Sequence, residues 1–224
     1  MSPHFHAELE SLKSQLLGMA SLVEEAIFRS VKALVDRNEE LARAVISSDE
    51  AINTMEVEID DACVRLLALH QPAAIDLRYI TSALKINSDL ERMGDQAVNI
   101  AERTLELVKE PLLKPLIDIP RMAELAQKMV KDSLDAFVRK DTRLARDVCR
   151  RDDEVDSLND QVFRELLTYM MQDPRTITRA VHLLLVGRHL ERIADHATNI
   201  AEDVIYLVEG QTVKHRFDVR RIDV

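Results

Sequence analysis

The stretch that decides the fold is Leu90–Glu102, which reads LERMGDQAVNIAE. It recurs 100 residues later as Leu190–Glu202, which reads LERIADHATNIAE, so that 9 of 13 positions are identical. A second match lies upstream, where Leu41–Asp49 and Leu144–Asp152 agree at 5 of 9 positions with an offset of 103. Because the matched segments keep their order and spacing, the chain is predicted to be an internal duplication.

Each repeat has the apolar periodicity of three long helices. The repeats are placed at residues 1–112 and 113–224, and in the first the periodic segments cover about 5–36, 39–69 and 75–109. Only 4 Gly and 6 Pro occur in 224 residues, which leaves few residues for the turns that a sheet would need. The sequence therefore predicts an all-α fold of two tandem three-helix bundles.

Capping and breaking residues mark the expected ends of the helices. Asn38 and its counterpart Asp141 are predicted to cap the middle helices, because a side-chain oxygen there can accept from free amides of the first turn. Pro72 and Pro174 interrupt the chain before the last helix of each repeat. A cluster of three prolines is expected to separate the repeats: Pro111, Pro115 and Pro120.

Charge and composition exclude several classes of protein. The 30 basic and 40 acidic residues give a net charge of −10, which argues against a nucleic-acid partner. The chain shows no signal-peptide core and no apolar run long enough to cross a membrane, so contact with a membrane is expected only through partners. Cys63 and Cys149 lie inside helical patterns, as expected for reduced thiols of a cytoplasmic protein.

Acidic stripes on the helices are the candidate functional feature. On the last helix of each repeat, two acids and an asparagine follow one another at intervals of four, and each middle helix carries a shorter pair. Like charges at this spacing mildly destabilise a helix, yet both repeats keep the acids while neighbouring residues differ. The predicted metal ligands are Asp49, Asn53, Glu91, Asp95 and Asn99 in the first repeat, and Asp152, Asp156, Glu191, Asp195 and Asn199 in the second.

Such an oxygen-rich set suits hard divalent or trivalent cations such as Mg, Mn, Ca or oxidised iron, with Zn a further candidate. A solvated polar face is the alternative explanation for each stripe. Arg92 and Arg192 are open to two interpretations: they bind an anion, or they pair locally with Asp95 and Asp195.

Three histidines on the last helix are spaced by seven residues, at His182, His189 and His196. Neighbouring members stand about 10 Å apart along a helix, so they cannot share one ion. Their counterparts in the first repeat are Ser82, Asp89 and Gln96. Because the duplication does not keep the histidines, a coincidental stripe is the favoured interpretation.

The stretches 90–95 and 190–195, together with QPAAIDLR at 71–78 and MEVEID at 55–60, resemble those of the PhoU family, which accompanies the bacterial phosphate-specific transport system. The resemblance extends over essentially the whole chain. It implies two three-helix bundles that carry surface E/D-x-x-x-D motifs for metal ions or multinuclear clusters. Asn53 departs from a full acidic pair, so the first site is expected to be weaker or differently occupied.

The resemblance also implies a function. Family members are cytoplasmic, form dimers, and repress phosphate-starvation genes when phosphate is plentiful. Their implied partners are the ATPase subunit of the phosphate transporter and a membrane sensor histidine kinase, and no catalytic activity is expected. Two alternatives remain: a carboxylate-bridged metal enzyme or ferritin-like protein, and a purely structural helical scaffold. The first is disfavoured because none of the seven His lies three residues after a Glu.

Overall fold

The computed structural model describes residues 3–213, which form six long α-helices and one short 3-10 helix at Pro174–Thr176. The α-helices are α1 Pro3–Val35, α2 Glu39–His70, α3 Ala74–Leu107, α4 Asp118–Arg139, α5 Thr142–Gln172 and α6 Ile177–Glu209. Helices α1–α3 form one bundle and α4–α6 the other, which confirms the predicted fold class. Residues 3–213 contain no strand, and no helix among them is long and apolar enough to span a membrane.

The turn that follows the first helix is built in the same way in both halves. Arg37 and Lys140 each adopt a left-handed backbone conformation with φ of 54°. The next residue then caps the middle helix: the Asn38 side chain accepts from the amide of Leu41, and Asp141 accepts from the amides of its second and third followers. Both predicted N-caps are confirmed. Non-glycine residues seldom adopt this conformation. Because Arg37 and Lys140 adopt it here, these two turns form without glycine.

Each bundle buries one apolar seam from each of its helices. In α2 the seam includes Val45, Ile52 and Ile59, all at most 2% exposed, as expected from burial of one face of an amphipathic helix. The free thiols of Cys63 and Cys149 are buried, and burial raises both pKa values to about 12. These cysteines are therefore inert packing residues.

The link between the bundles is shorter than the proline cluster suggested. It runs from the end of α3 to Asp118, so Pro111 and Pro115 lie in it, whereas Pro120 lies in the first turn of α4. Proline is tolerated there because the first turn has no intrahelical acceptors for its amides. The buried side chain of Lys114 pairs with Glu165 of α5, which fixes the link to the second bundle.

The two bundles pack mainly through α3 against α6, with a smaller contact between α1 and α4. His196 Nδ1 lies 2.8 Å from Asp89 Oδ1, and His189 Nδ1 lies 2.9 Å from Gln96 Oε1. These pairs are equivalent after the offset of 100, so α3 and α6 run antiparallel about an approximate two-fold axis between them. Helices α2 and α5 contact no long helix outside their own half.

The histidine stripe is therefore part of this interface, and its interpretation as a coincidence was wrong. His189 hydrogen-bonds to Gln96, which is the counterpart of position 196. His196 hydrogen-bonds to Asp89, which is the counterpart of position 189. Burial lowers the pKa of His189 to about 4, with Arg192 contributing, so the ring is neutral at physiological pH. The duplication did not keep histidine because the two sides of an interface need complementary residues.

Candidate metal centre

The first acidic cluster lies where α2 packs on α3. Half-buried Asp49 receives a hydrogen bond at Oδ2 from Asn53 Nδ2, at 2.9 Å. Its other oxygen, Oδ1, is buried and has no hydrogen-bond partner within residues 3–213. A buried carboxylate oxygen without a donor is costly, so this atom is available to a ligand that the protein itself does not supply.

The acids of α3 stand close enough to those of α2 for their charges to interact. Burial raises the pKa of Glu91, and Asp95, Glu56 and Asp49 raise it further. Burial and the charge of Asp49 likewise raise the pKa of Asp95. The structure thus brings the predicted residues of the first half together, apart from the asparagine at the end of the stripe.

The second cluster repeats the arrangement between α5 and α6. Burial, followed by the charges of Asp195 and Asp156, raises the pKa of Asp152 to about 7. The pKa of Asp156 is raised by burial and then by Glu191 and Asp195, and that of Asp195 by burial and Glu191. Asp152 Oδ1, like its counterpart in the first half, is buried and meets no donor at hydrogen-bond geometry in the described part of the chain, although the Thr198 hydroxyl is near enough to offset part of the rise in the pKa of Asp152.

Two further residues belong to these clusters and were missed from the sequence. Glu56 acts on Glu91 through its charge, and its counterpart Asn159 donates from Nδ2 to Glu191 Oε2 at 3.0 Å. Glu56 follows Asp49 by seven residues, or two helical turns, so the spacing alone placed it on the same face. When Glu56 and Asn159 are counted, each cluster holds four carboxylates and one amide. The asparagine at position 53 therefore does not leave the first cluster with fewer negative charges than the second.

The second cluster contains a competitor for any cation. Arg188 Nη1 donates to both oxygens of Glu191, at 2.7 and 2.6 Å. The counterpart of Arg188 in the first half is Ser88. Within residues 3–213 Glu91 therefore has no arginine hydrogen-bonded to it, although the charge of Arg92 acts on it. The two clusters have the same number of acids. They differ at the equivalent glutamates, because Glu191 is hydrogen-bonded to an arginine and, among the described residues, Glu91 is not.

The asparagines at the ends of the stripes are placed differently from the acids. Asn199 Nδ2 donates to Asp89 Oδ1 at 3.3 Å, so this amide is engaged at the interface with α3 rather than with the acids. Asn99, the counterpart of Asn199 on α3, is half-buried. Within residues 3–213, no three His, Cys, Asp or Glu side chains converge with metal-ligand geometry.

The donor sets nevertheless fit a hard cation. All candidate ligand atoms are oxygens, from carboxylates and from the amides of Asn53 and Asn159. The raised pKa values reflect desolvation and mutual repulsion, and a cation would relieve the repulsion. A buried oxygen without a donor stands at the same position in each half.

The family model described as the PhoU domain matches residues 16–104 and again residues 119–204. The chain belongs to the PhoU family. It is 53% identical over 209 residues to a phosphate-specific transport system accessory protein PhoU homolog from Aquifex aeolicus, a match that covers 93% of this chain and 95% of the relative. A homolog of the same description from Pseudomonas aeruginosa is 47% identical over 216 residues, which are 96% of this chain and 89% of that protein.

Solved structures of PhoU proteins share the architecture. The crystal structure of PhoU from Pseudomonas aeruginosa superposes with a TM-score of 0.90 at 47% identity, over 92% of this chain and 100% of that one. The phosphate transport system regulatory protein PhoU from Streptococcus pneumoniae gives a TM-score of 0.88 at 34% identity, over 94% and 99% of the two chains. The PhoU relatives are thus described as accessory or regulatory proteins, which supports a role in the regulation of phosphate transport.

Proposed function

We propose that this PhoU protein is a cytoplasmic negative regulator of phosphate uptake and phosphate-starvation signalling, which works as a metal-binding adaptor without catalysis of its own. The descriptions of its relatives support the link to a phosphate transporter. The observation that carries the metal site is the pair of buried, unpartnered oxygens, Asp49 Oδ1 and Asp152 Oδ1, at equivalent positions of the two halves.

The residues that would hold the cations come from adjacent helices. In the first half they are Asp49, Glu56, Glu91 and Asp95, and in the second half Asp152, Asp156, Glu191 and Asp195. A bound cation would neutralise the mutual repulsion of these acids, and so hold α2 to α3 and α5 to α6. In the second half, Glu191 would first have to leave Arg188.

An adaptor also needs surfaces on which partners can dock. Large apolar side chains are exposed on the C-terminal third of α5, where Phe163 is 52% and Met171 78% exposed. Val181 and Leu185 of α6, at 40% and 38%, add to the exposed apolar surface of the second bundle. Apolar surface beside charged residues is typical of protein interaction sites. The partners we propose are the transporter ATPase subunit, a sensor histidine kinase and a second copy of this chain.

Metal analysis of the purified protein tests the site. The double variant Asp95→Ala/Asp195→Ala should lose most of the bound metal, measured by inductively coupled plasma mass spectrometry after incubation with Mg, Mn, Fe or Zn and desalting. The matched control is Asp61→Ala/Glu124→Ala, which removes two exposed acids that form no ion pair within residues 3–213. Equal metal content in the two variants would show that the assignment is wrong.

The regulatory role is tested separately in cells. Deletion of the gene should switch on phosphate-starvation genes in phosphate-rich medium, and the wild-type gene should restore repression. Continued repression after deletion would contradict the role. If the wild-type protein binds no metal but the deletion still activates these genes, the adaptor is a helical scaffold without a metal.

A further inference from the structure

Arg92 and Arg192 occupy equivalent positions at the centre of the contact between α3 and α6. The hydrogen-bonded pairs Asp89–His196 and Gln96–His189 lie on either side of the approximate two-fold axis. Position 92 lies between positions 89 and 96 of α3, and position 192 lies between positions 189 and 196 of α6, so the two arginines face each other across the axis.

Both arginines are on the outer surface, whereas the residue that follows each of them is buried. Met93 and Ile193 are 0% exposed in the core below. At 100° per residue, Arg92 lies on α3 between the interface residues and the acidic stripe, and Arg192 does the same on α6. Packed helices have axes about 8–10 Å apart, so two arginine side chains on one face of the crossing can reach a single small ion.

Neither arginine is hydrogen-bonded to a carboxylate of residues 3–213. Asp95 and Asp195 stand three residues further along the same helices. Arg92 acts on Glu91 and Arg192 on Asp195 through their charges, but within residues 3–213 neither guanidinium forms an ion pair with a carboxylate within 4.0 Å. Local pairing, the alternative interpretation of these arginines, is therefore not formed. By contrast, Arg188, one turn before Arg192, does pair with an acid of the stripe. The N–H donors of two guanidinium groups near one axis are thus not bonded to any carboxylate in the described part of the chain, which leaves them free to bind an anion.

We infer that Arg92 and Arg192 form a binding site for free inorganic phosphate on the axis between the two halves. Each guanidinium offers a planar fork of N–H donors that matches two oxygens of a tetrahedral oxyanion, and two forks related by a two-fold axis can hold one ion from both sides.

The neighbouring acid clusters determine when this site can fill. Four carboxylates on each side repel an anion while they are ionised and empty of metal, and cations bound among them would remove that repulsion. The cation dependence rests on the proposed function, whereas the arginine site does not. Phosphate would then bind more tightly when cations fill the acid clusters, which is a suitable input for a regulator of phosphate transport.

Equilibrium dialysis of the full-length protein with radiolabelled inorganic phosphate tests the inference, with Mg²⁺ present or removed by a chelator. The wild type should bind phosphate saturably, and Arg92→Gln/Arg192→Gln should lower the affinity by about tenfold or more, since charge-assisted bidentate bonds are lost on both sides. The control Arg65→Gln/Arg164→Gln removes the same charge from two exposed arginines on α2 and α5, and it should bind as the wild type does.

Metal content, measured on the same samples, separates the two proposals. A wild type that binds metal but no phosphate, or equal phosphate affinity in the two double variants, would overturn the arginine site and leave the metal site standing. A wild type without metal that still binds phosphate through the arginines would overturn the metal site alone. Unchanged thermal unfolding of the Arg92→Gln/Arg192→Gln variant would confirm that it is folded, as expected for exposed residues.

Discussion

Replacement of Asp152 by Asn should stabilise the metal-free protein at about pH 8, although it removes a charged residue from a polar cluster. In the folded chain, burial and the charges of Asp195 and Asp156 raise the pKa of this carboxyl from 3.8 to about 7. The folded state therefore holds a proton that the unfolded chain releases between about pH 4 and pH 7. Over this interval the stability of the wild type falls as pH rises, and above pH 7 the full cost of the buried charge is present.

The size of the effect follows from that difference in pKa. A rise from 3.8 to about 7 corresponds to roughly 4 kcal/mol at most. Asp152 is only half-buried and water screens part of the repulsion, so we expect about 1–2 kcal/mol for Asp152→Asn at about pH 8. In a chain of this length, that stabilisation corresponds to a rise in Tm of about 2–8 °C. The gain should shrink towards zero as the pH approaches about 4.

Thermal unfolding followed by circular dichroism, at several pH values and with a chelator present, measures this shift. The control Asp61→Asn changes an exposed acid of α2 and should show no comparable dependence on pH. Millimolar Mg²⁺ or Mn²⁺ should reverse the order, because the wild type gains a ligand that the variant lacks. A Tm gain that is the same at every pH, or a variant less stable than the wild type at about pH 8 without metal, would refute the reasoning.

Three further substitutions test other contacts. Arg188→Ser, which copies the first half, should raise metal affinity at the second cluster about two- to fivefold in calorimetric titrations, because it frees Glu191 from an ion pair of up to about 1 kcal/mol. Asp89→Ala should lower the free energy of urea unfolding by about 1–3 kcal/mol, since it leaves His196 without its acceptor at a buried interface. Arg37→Ala should cost about 1–2 kcal/mol in the same assay, because its Nη2 donates to three carbonyls at the end of α3 and in the link.

Local features of the sequence were enough to predict the fold. Apolar periodicity placed the helices of the first half to within about two residues of their observed ends, and the capping positions Asn38 and Asp141 were found because a cap depends only on its own first turn. The boundary between the repeats, at residue 112, stays a prediction, although the family model matches once on each side of it. The acids of the stripes could be grouped in advance, because helical spacing fixes which residues share a face.

The interface between the halves could not be predicted in this way. His196 and Asp89 are 107 residues apart, and no local pattern states that α3 packs antiparallel on α6. The same interface engages Asn199, which helical spacing alone had assigned to the acids. A stripe of residues on a helix gives a direction around the axis, but it does not tell whether solvent, a metal or another helix lies in that direction.

The two clusters differ in detail in a way that itself argues for a shared constraint. The first half has asparagine at position 53 and glutamate at 56, whereas the second has aspartate at the equivalent 156 and asparagine at 159. A solvated face has no reason to exchange an acid and an amide between two positions one turn apart while it keeps four carboxylates in each half. A site that needs a fixed number of negative oxygens tolerates this exchange, because a cation responds to the total charge and number of its ligands more than to the turn that supplies each of them. The duplication therefore favours cation binding over solubility as the reason for the acidic stripes.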